Sequence, residues 1–130
     1  MTDWLNFSAD FNSNKTQYYV SVGIVQFKDT GNYVLFAPAL EVYGYGKTVG
    51  EARASFALSM QEFLEYTDNK GTLEKELTRL GWSIKGSKRN KRFKVPEFSE
   101  LLVSNDRLTD ILNNRDVRTY KADIPMAMPA

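Results

Sequence analysis

Hydrophobic and polar positions alternate in the first part of the chain and recur at helical spacing after it. β-branched and aromatic residues fill both faces of Thr16–Phe27, which predicts a central strand that is buried on two sides. Turn-forming residues at 29–32 and the apolar run Tyr33–Ala37 predict its hairpin partner. The same alternation predicts shorter strands at Leu5–Phe11 and Glu41–Tyr45.

A capping box that opens at Thr48 and closes at Glu51 predicts the start of the first helix, because the Thr hydroxyl accepts a hydrogen bond from the Glu51 amide. The apolar residues that follow recur on one face and predict a long amphipathic helix that ends near Thr67. A shorter helix is predicted over Thr72–Leu80, with Gly81 as its left-handed C-cap.

The remainder of the chain alternates short strands with short helices. Strands are predicted at Trp82–Ile84 and Arg118–Ile124. Helices are predicted around Phe98–Leu102 and Leu108–Leu112.

Together these elements predict an α+β fold. An antiparallel sheet, made of a hairpin plus short strands, is covered by the one long amphipathic helix and followed by a small helical C-terminal appendage. A polar, basic segment marks the predicted boundary, which gives a domain over residues 1–84 and a basic connector with the appendage over residues 85–130.

The absence of two residue types limits the chemistry of the chain. Its 130 residues contain neither Cys nor His, which excludes disulfides, thiol nucleophiles, zinc–thiolate sites and the Ser-His and Cys-His dyads. A metal site would have to consist of carboxylates, and we predict neither a metal nor a cofactor. The sequence shows no apolar run of membrane-spanning length and a polar start, so we expect a cytoplasmic protein.

Two local patterns could indicate an enzyme, one a phosphate-binding loop and the other a metal-dependent nuclease. A structural role explains the residues of both patterns better. Gly46-Lys47-Thr48 resembles the end of a phosphate-binding loop, but Glu41 occupies the position of the first glycine of that motif and would repel phosphate. A metal-dependent nuclease would need acids on the central strand, and Val20–Val25 contains none. A Gly turn before a helix cap and solvated surface acids explain the same residues.

Cations are dense immediately after residue 84. They are Lys85, Lys88, Arg89, Lys91, Arg92 and Lys94. Residues 1–81 carry ten acidic and seven basic side chains, whereas residues 82–130 carry ten basic and six acidic ones. The segment is therefore a candidate contact for nucleic acid or for an acidic partner surface. The alternative is a solvated hairpin tip between Trp82–Ile84 and Phe93–Val95, with lysines that protect a sheet edge.

Three local motifs resemble the HicB-like antitoxin family. They are Asn32-Tyr33-Val34, Phe36-Ala37-Pro38-Ala39-Leu40 and Gly46-Lys47-Thr48-Val49-Gly50-Glu51-Ala52. They follow the family's order of a Gly-Tyr-like strand, a Pro-x-Leu element, a Gly, and a helix start of the form Thr-x-x-Glu-Ala. The resemblance covers roughly residues 16–84.

The resemblance implies a partial RNase H-like fold without nuclease chemistry. It also implies that the protein binds and blocks a HicA-type mRNA-cleaving toxin, for which a short, basic, His-containing neighbouring gene product is expected. Many family members repress their own operon through a C-terminal ribbon-helix-helix or helix-turn-helix module. This chain departs from that pattern, since we expect too few residues after Ile124 for a ribbon-helix-helix unit, and the two preceding short helices have mostly acidic or neutral polar faces.

The outer side of the long helix carries an apolar residue, Leu58, among polar neighbours. Leu58 is predicted to lie near Ala54, Gln61 and Glu65 on the polar face. We predict that Ala54 and Leu58 belong to an oligomer or toxin interface. The alternative is a scattered apolar residue on the surface.

These observations lead us to expect a non-enzymatic, homo-oligomeric antitoxin that sequesters a HicA-type toxin, with operator DNA as a further candidate partner. One alternative is a stand-alone nucleic-acid-binding module that uses residues 85–94. A divergent metal-dependent nuclease is the less favoured alternative.

Overall fold

Seven strands and four helices make up the described part of the chain. The computed structural model describes residues 3–4, 17–86 and 92–127, with side chains over 20–86 and 92–124. The strands are β1 (Asp3–Trp4), β2 (Gln17–Asp29), β3 (Asn32–Ala37), β4 (Val42–Gly46), β5 (Ser83–Lys85), β6 (Arg92–Lys94) and β7 (Arg118–Ala127). The helices are α1 (Val49–Lys70), α2 (Leu73–Arg79), α3 (Phe98–Ser104) and α4 (Asp106–Asn114). The strand predicted at Leu5–Phe11 lies outside the described residues.

The architecture is α+β, as predicted. Five strands form one sheet in the order β1-β7-β2-β3-β4, and all neighbours run antiparallel except β1 and β7, which run parallel. β2 lies in the middle of this sheet, which confirms the central strand predicted from its two apolar faces. β5 and β6 form a separate hairpin, and α1 packs against β3 and β4.

The hairpin between β2 and β3 closes through two residues in the left-handed region. Thr30 has a φ of 47° and Gly31 a φ of 85°, and Asp29 pairs with Asn32 across the turn. Positive φ at both central residues is characteristic of a type I′ turn, whose twist matches that of the strands. Gly31 adopts this φ without a steric cost, whereas the β-branched Thr30 adopts it under strain.

α1 begins where the capping box predicts and ends later than predicted. The Thr48 hydroxyl accepts a hydrogen bond from the Glu51 amide at 3.1 Å. The helix continues to Lys70, so the predicted end near Thr67 is wrong. Gly71, with a φ of 65°, is the C-cap because glycine adopts the left-handed conformation without a steric cost.

A glycine of β4 lets α1 pack closely on the sheet. The residues of α1 that face the sheet are fully buried: Ala52, Phe56, Met60 and Leu64. A Cβ atom on Gly44 would lie 2.3 Å from the Phe56 backbone nitrogen, which is closer than real side chains come. The contact between the two backbones therefore depends on glycine at this position.

α4 lies on the opposite face of the sheet. Phe36 pairs with Tyr43 across β3 and β4, and the two side chains point away from α1 with their ring centroids 4.4 Å apart. The Arg107 guanidinium of α4 lies 5.5 Å from the centre of the Tyr43 ring. Leu108 and Ile111 of the same helix are buried. The sheet thus has helices on both faces.

The last strand joins the sheet that the predicted N-terminal domain begins. β7 pairs with β2 from Gln17 opposite Ala127 to Gln26 opposite Arg118. The sheet therefore contains residues from both predicted segments, 1–84 and 85–130. The division itself stays a prediction from composition.

Candidate partner-binding surfaces

The predicted basic segment forms a hairpin that keeps its described cations on one face. Lys85, Arg92 and Lys94 are exposed, whereas Ile84 and Phe93 pack against the core. We call β5, β6 and these three cations the basic hairpin. The other predicted cations lie outside the described residues: Lys88, Arg89 and Lys91.

Like charges face each other across the basic hairpin. Lys85 lies directly opposite Arg92, and Lys94 lies on the same face opposite Ser83. Like charges in such a pair destabilise a sheet. None of the three cations forms an ion pair with another described residue. Among the described residues, these three cations therefore have no carboxylate partner, and the Lys85–Arg92 pair opposes the pairing of its own strands.

Aromatic residues fix the basic hairpin at one end of the sheet. Phe93 is buried in the core. Trp82, just before β5, is also buried and donates a hydrogen bond from Nε1 to the Ala39 carbonyl oxygen at 2.8 Å. Because Ala39 follows the end of β3, this hydrogen bond anchors the start of the basic hairpin beside that end of β3.

The predicted interface residues Ala54 and Leu58 lie on the outer side of α1, one helical turn apart. Leu58 is 59% exposed, and Ala54 is exposed as well. Their neighbours are polar, and Gln61 donates a side-chain hydrogen bond to Glu65 at 3.2 Å. The contribution of Ala54 and Leu58 to an interface stays a prediction.

A groove between the edge strand β4 and α1 was not predicted from the sequence. We call it the β4–α1 groove, and its lining consists of Glu41, Val42, Tyr43, Tyr45, Ser59, Glu62, Phe63 and Tyr66. Tyr45 and Tyr66 are 53% and 63% exposed. Among the described lining residues, the charged ones are the exposed carboxylates Glu41 and Glu62. The groove thus presents aromatic rings and negative charge at a sheet edge.

α1 contacts one part of the β4 edge, and the adjoining part has no hydrogen-bond partner among the described residues. The Tyr45 amide donates a hydrogen bond to the Ser55 hydroxyl oxygen at 3.1 Å, so Tyr45 directs its backbone away from β3. Strand residues two positions apart direct their backbone groups to the same side. The Tyr43 N–H and C=O therefore also point away from β3, and no hydrogen bond joins them to another described group.

Glu41 holds a strained backbone conformation at the mouth of the groove. Its φ is 53°, in the left-handed region that costs a non-glycine residue about 1–2 kcal/mol. It follows a turn that is closed by a hydrogen bond from the Leu40 N–H to the Ala37 carbonyl oxygen at 3.1 Å. Strained residues are concentrated at functional sites, which makes the Glu41 carboxylate a candidate binding group.

The tyrosines of β4 form a stacked row with Phe36. The Tyr43 and Tyr45 rings lie 6.1 Å apart at an interplanar angle of 7°. Burial raises the pKa of the Tyr43 hydroxyl above its ordinary value, and the nearby Arg107 opposes this rise. Tyr43 is therefore uncharged at neutral pH, and the negative charge of the groove comes from its carboxylates.

The sequence contains a signal for the groove that sequence reasoning overlooked. In Val42–Gly46, tyrosines alternate with glycines, a pattern that places aromatic rings on one face and a close neighbour on the other. The exposure of Tyr66 depends on how α1 lies beside β4, and periodicity alone does not determine that arrangement.

The two C-terminal helices depart from helix-turn-helix geometry. α3 and α4 are separated by Asn105 alone, and its side chain caps α4 by accepting a hydrogen bond from the Leu108 amide at 3.0 Å. Helix-turn-helix units join their helices by a turn of about 3–4 residues. α4 also buries Leu108 and Ile111 in the core.

Comparisons with protein-family models, with curated proteins and with solved structures find no match to this chain. The resemblance to HicB-like antitoxins therefore rests on the sequence motifs. Within the described ranges, no group of three or more carboxylates is placed to hold a metal ion. In the same part of the chain, no helix has the length and hydropathy needed to span a membrane.

Proposed function

We propose that this protein is a non-enzymatic, antitoxin-like binding protein that sequesters a HicA-type mRNA-cleaving toxin in the cytoplasm. The observation that carries the proposal is the β4–α1 groove, a sheet edge lined by exposed tyrosines and carboxylates. Tyrosine is enriched at protein interfaces because its ring buries a large area and its hydroxyl retains a hydrogen bond. A small basic toxin is complementary in charge to Glu41 and Glu62.

The residues that carry the resemblance to HicB-like antitoxins have structural roles in this chain. In this proposal, the exposed residues beside them bind the partner. A Cβ atom on Gly46 would lie 2.5 Å from the Ala52 backbone nitrogen. Thr48 caps α1 through the Glu51 amide. These residues determine how α1 begins and packs beside β4, and the groove next to them supplies the proposed surface for the partner.

Co-expression tests this proposal. The toxin to be tested is the short, basic, His-containing product that the proposal expects from a neighbouring open reading frame, induced in cells with and without this protein. We expect growth to be restored when the protein is present, because the toxin is held in an inactive complex. Growth arrest that persists beside folded, soluble protein would contradict the proposal.

A charge-reversal pair adds a matched control to the same assay. Glu62→Lys changes the charge of the groove, and Asp116→Lys makes the same change at an exposed position after α4. We expect Glu62→Lys to weaken rescue and Asp116→Lys to preserve it. Equal growth rescue by both variants would show that the groove does not bind the toxin.

The basic hairpin favours nucleic-acid binding as a second function. The specific observation is the directly opposed pair Lys85 and Arg92, which destabilises the hairpin and concentrates positive charge on one face. Phosphate backbones bind such faces by releasing counterions, and each neutralised phosphate adds about −0.9 to the slope of log affinity against log salt on duplex DNA.

The variant Lys85→Glu tests this second function, since it creates an opposite-charge pair with Arg92. We expect the free energy of unfolding to rise by about 0.2–1 kcal/mol, and affinity for duplex DNA or RNA to fall with a flatter salt slope. Lys75→Glu, at an exposed position of α2, makes the same charge change and should retain binding. A parent protein without measurable binding at low salt would exclude the function.

A further inference from the structure

The β4–α1 groove places a helix beside an open strand edge. The Tyr45 amide is already bonded to Ser55 at 3.1 Å, whereas the Tyr43 N–H and C=O point away from β3 without a described partner. An extended chain laid along this edge could pair with these two backbone groups of Tyr43. Peptides are bound in this way when they add a strand to an exposed sheet edge.

The groove also offers separate contacts to the two faces of an added strand. Alternate side chains of a strand point to opposite sides of the sheet. One set would meet Phe63 and Tyr66 of α1, and the other would meet the rings of Tyr43 and Tyr45. Backbone pairing would supply affinity, and these two sets of contacts would supply selectivity.

Charge decides which partner fits the edge. Glu41 and Glu62 line the groove, and the Arg107 guanidinium lies 5.5 Å from the Tyr43 ring, so the groove attracts a segment whose Lys or Arg side chains face the carboxylates and whose uncharged side chains face Tyr43. A second copy of this chain that paired through the same edge would bring its own Glu41 and Glu62 close to these carboxylates. That arrangement is disfavoured by like-charge repulsion.

We propose that the β4–α1 groove binds an extended, basic segment of a partner protein by strand addition to β4, opposite Tyr43. The inference rests on the proposed partner-binding function and specifies how the partner is held. The strained Glu41 is the carboxylate that contacts the basic side chains at the mouth of the groove.

Amide hydrogen exchange tests the proposal with a probe that does not depend on the toxin. The probe is an extended synthetic peptide in which Lys and Val alternate, and its control is the peptide in which Glu replaces Lys. We expect the Lys peptide to slow exchange of the Tyr43 amide and to leave the Tyr45 amide, already bonded to Ser55, unchanged. Equal effects of both peptides, or no slowing at Tyr43, would overturn the proposal.

Two variants of one residue isolate the backbone hydrogen bond. Tyr43→Ala removes the ring and keeps the N–H, whereas Tyr43→Pro removes both and is tolerated because this N–H faces away from β3. We expect the Pro variant to bind the Lys peptide roughly threefold to tenfold more weakly than the Ala variant, because it lacks one backbone hydrogen bond to the peptide. Equal affinity of two folded variants, checked by circular dichroism, would overturn strand addition.

The failure of strand addition is distinguishable from failure of the proposed function. Growth rescue without protection of the Tyr43 amide would overturn strand addition and leave the antitoxin function standing. Protection of that amide in the free protein, together with a dimer in sedimentation, would assign the groove to a second copy and overturn the basic partner. Protection of the Tyr43 amide by the Lys peptide together with failed growth rescue would support strand addition in the groove and contradict the proposal that the partner is a toxin.

Discussion

Two residues have left-handed backbone conformations, and only one of them lies in a candidate binding surface. Thr30 and Glu41 have φ values of 47° and 53°. We predict that Thr30→Asn and Glu41→Asn each raise the free energy of unfolding by about 1 kcal/mol, because Asn tolerates this conformation better than Thr or Glu. Thr30→Asn also creates the Asn-Gly pair that type I′ turns prefer. Urea denaturation of the two variants measures the change.

The same two variants differ in what they do to binding. Glu41 lines the β4–α1 groove, whereas Thr30 lies in the turn between β2 and β3. Glu41→Asn should therefore weaken binding of the toxin while it stabilises the fold, and Thr30→Asn should only stabilise. A loss of stability at Glu41→Asn would show that its conformation is not strained.

The contact between α1 and β4 has a sharp test at Gly44. A Cβ atom there would lie 2.3 Å from the Phe56 nitrogen, so Gly44→Ala should lower the free energy of unfolding by about 1–3 kcal/mol or more, as overpacking does. Gly23→Ala is the control, since a Cβ atom on Gly23 meets nothing within 4 Å. Equal unfolding midpoints for the two variants would contradict the close packing.

What could be predicted at the scale of residues depended on whether the cause was local. The capping role of Thr48 follows from four consecutive residues, and it was predicted correctly. The role of Gly44 depends on a helix that begins later in the chain, and the strain at Glu41 depends on a turn conformation. Neither has a signature in the local hydrophobic pattern.

At the scale of elements, a substitution of Leu58 tests whether the outer face of α1 forms an interface. Leu58→Asp should change the free energy of unfolding by less than about 0.5 kcal/mol, because the side chain is exposed. If Ala54 and Leu58 form an interface, the same variant should weaken self-association or toxin binding. Analytical ultracentrifugation and a binding titration measure the two.

Val103→Asp provides the control for Leu58. Val103 is 85% exposed on α3, so the substitution makes the same apolar-to-acidic change on a different helix. It should leave association unchanged. Identical sedimentation of the parent and Leu58→Asp, with unchanged toxin binding, would assign Leu58 to the scattered apolar residues of the surface.

Elements were predictable where a period or a cap specified them. β2, β3 and α1 were predicted from alternation and the capping box, and the structure confirms them with the helix end corrected from Thr67 to Lys70. The pairing of β7 with β2 was not predicted, because it joins positions about 90–110 residues apart and no local pattern specifies a long-range partner. The groove had a local signal in the alternating tyrosines and glycines of Val42–Gly46, but the position of α1 beside β4 had none.

At the scale of the whole molecule, the two candidate surfaces carry charges of opposite sign. The β4–α1 groove carries carboxylates, and the basic hairpin carries unpaired cations among the described residues. Opposite charges on separate surfaces allow a basic protein and a polyanion to be bound by one chain. Raised salt should weaken binding at both surfaces, since exposed charges are screened.

The most direct measurement of the central claim is a titration of toxin activity. Labelled mRNA is incubated with purified HicA-type toxin and increasing amounts of this protein, and the protein is also incubated alone with Mg²⁺. We predict that cleavage stops at a fixed ratio of protein to toxin, and that the protein alone leaves the RNA intact. Undiminished cleavage at excess protein would contradict the claim, as would cleavage by the protein alone that disappears in a carboxylate variant.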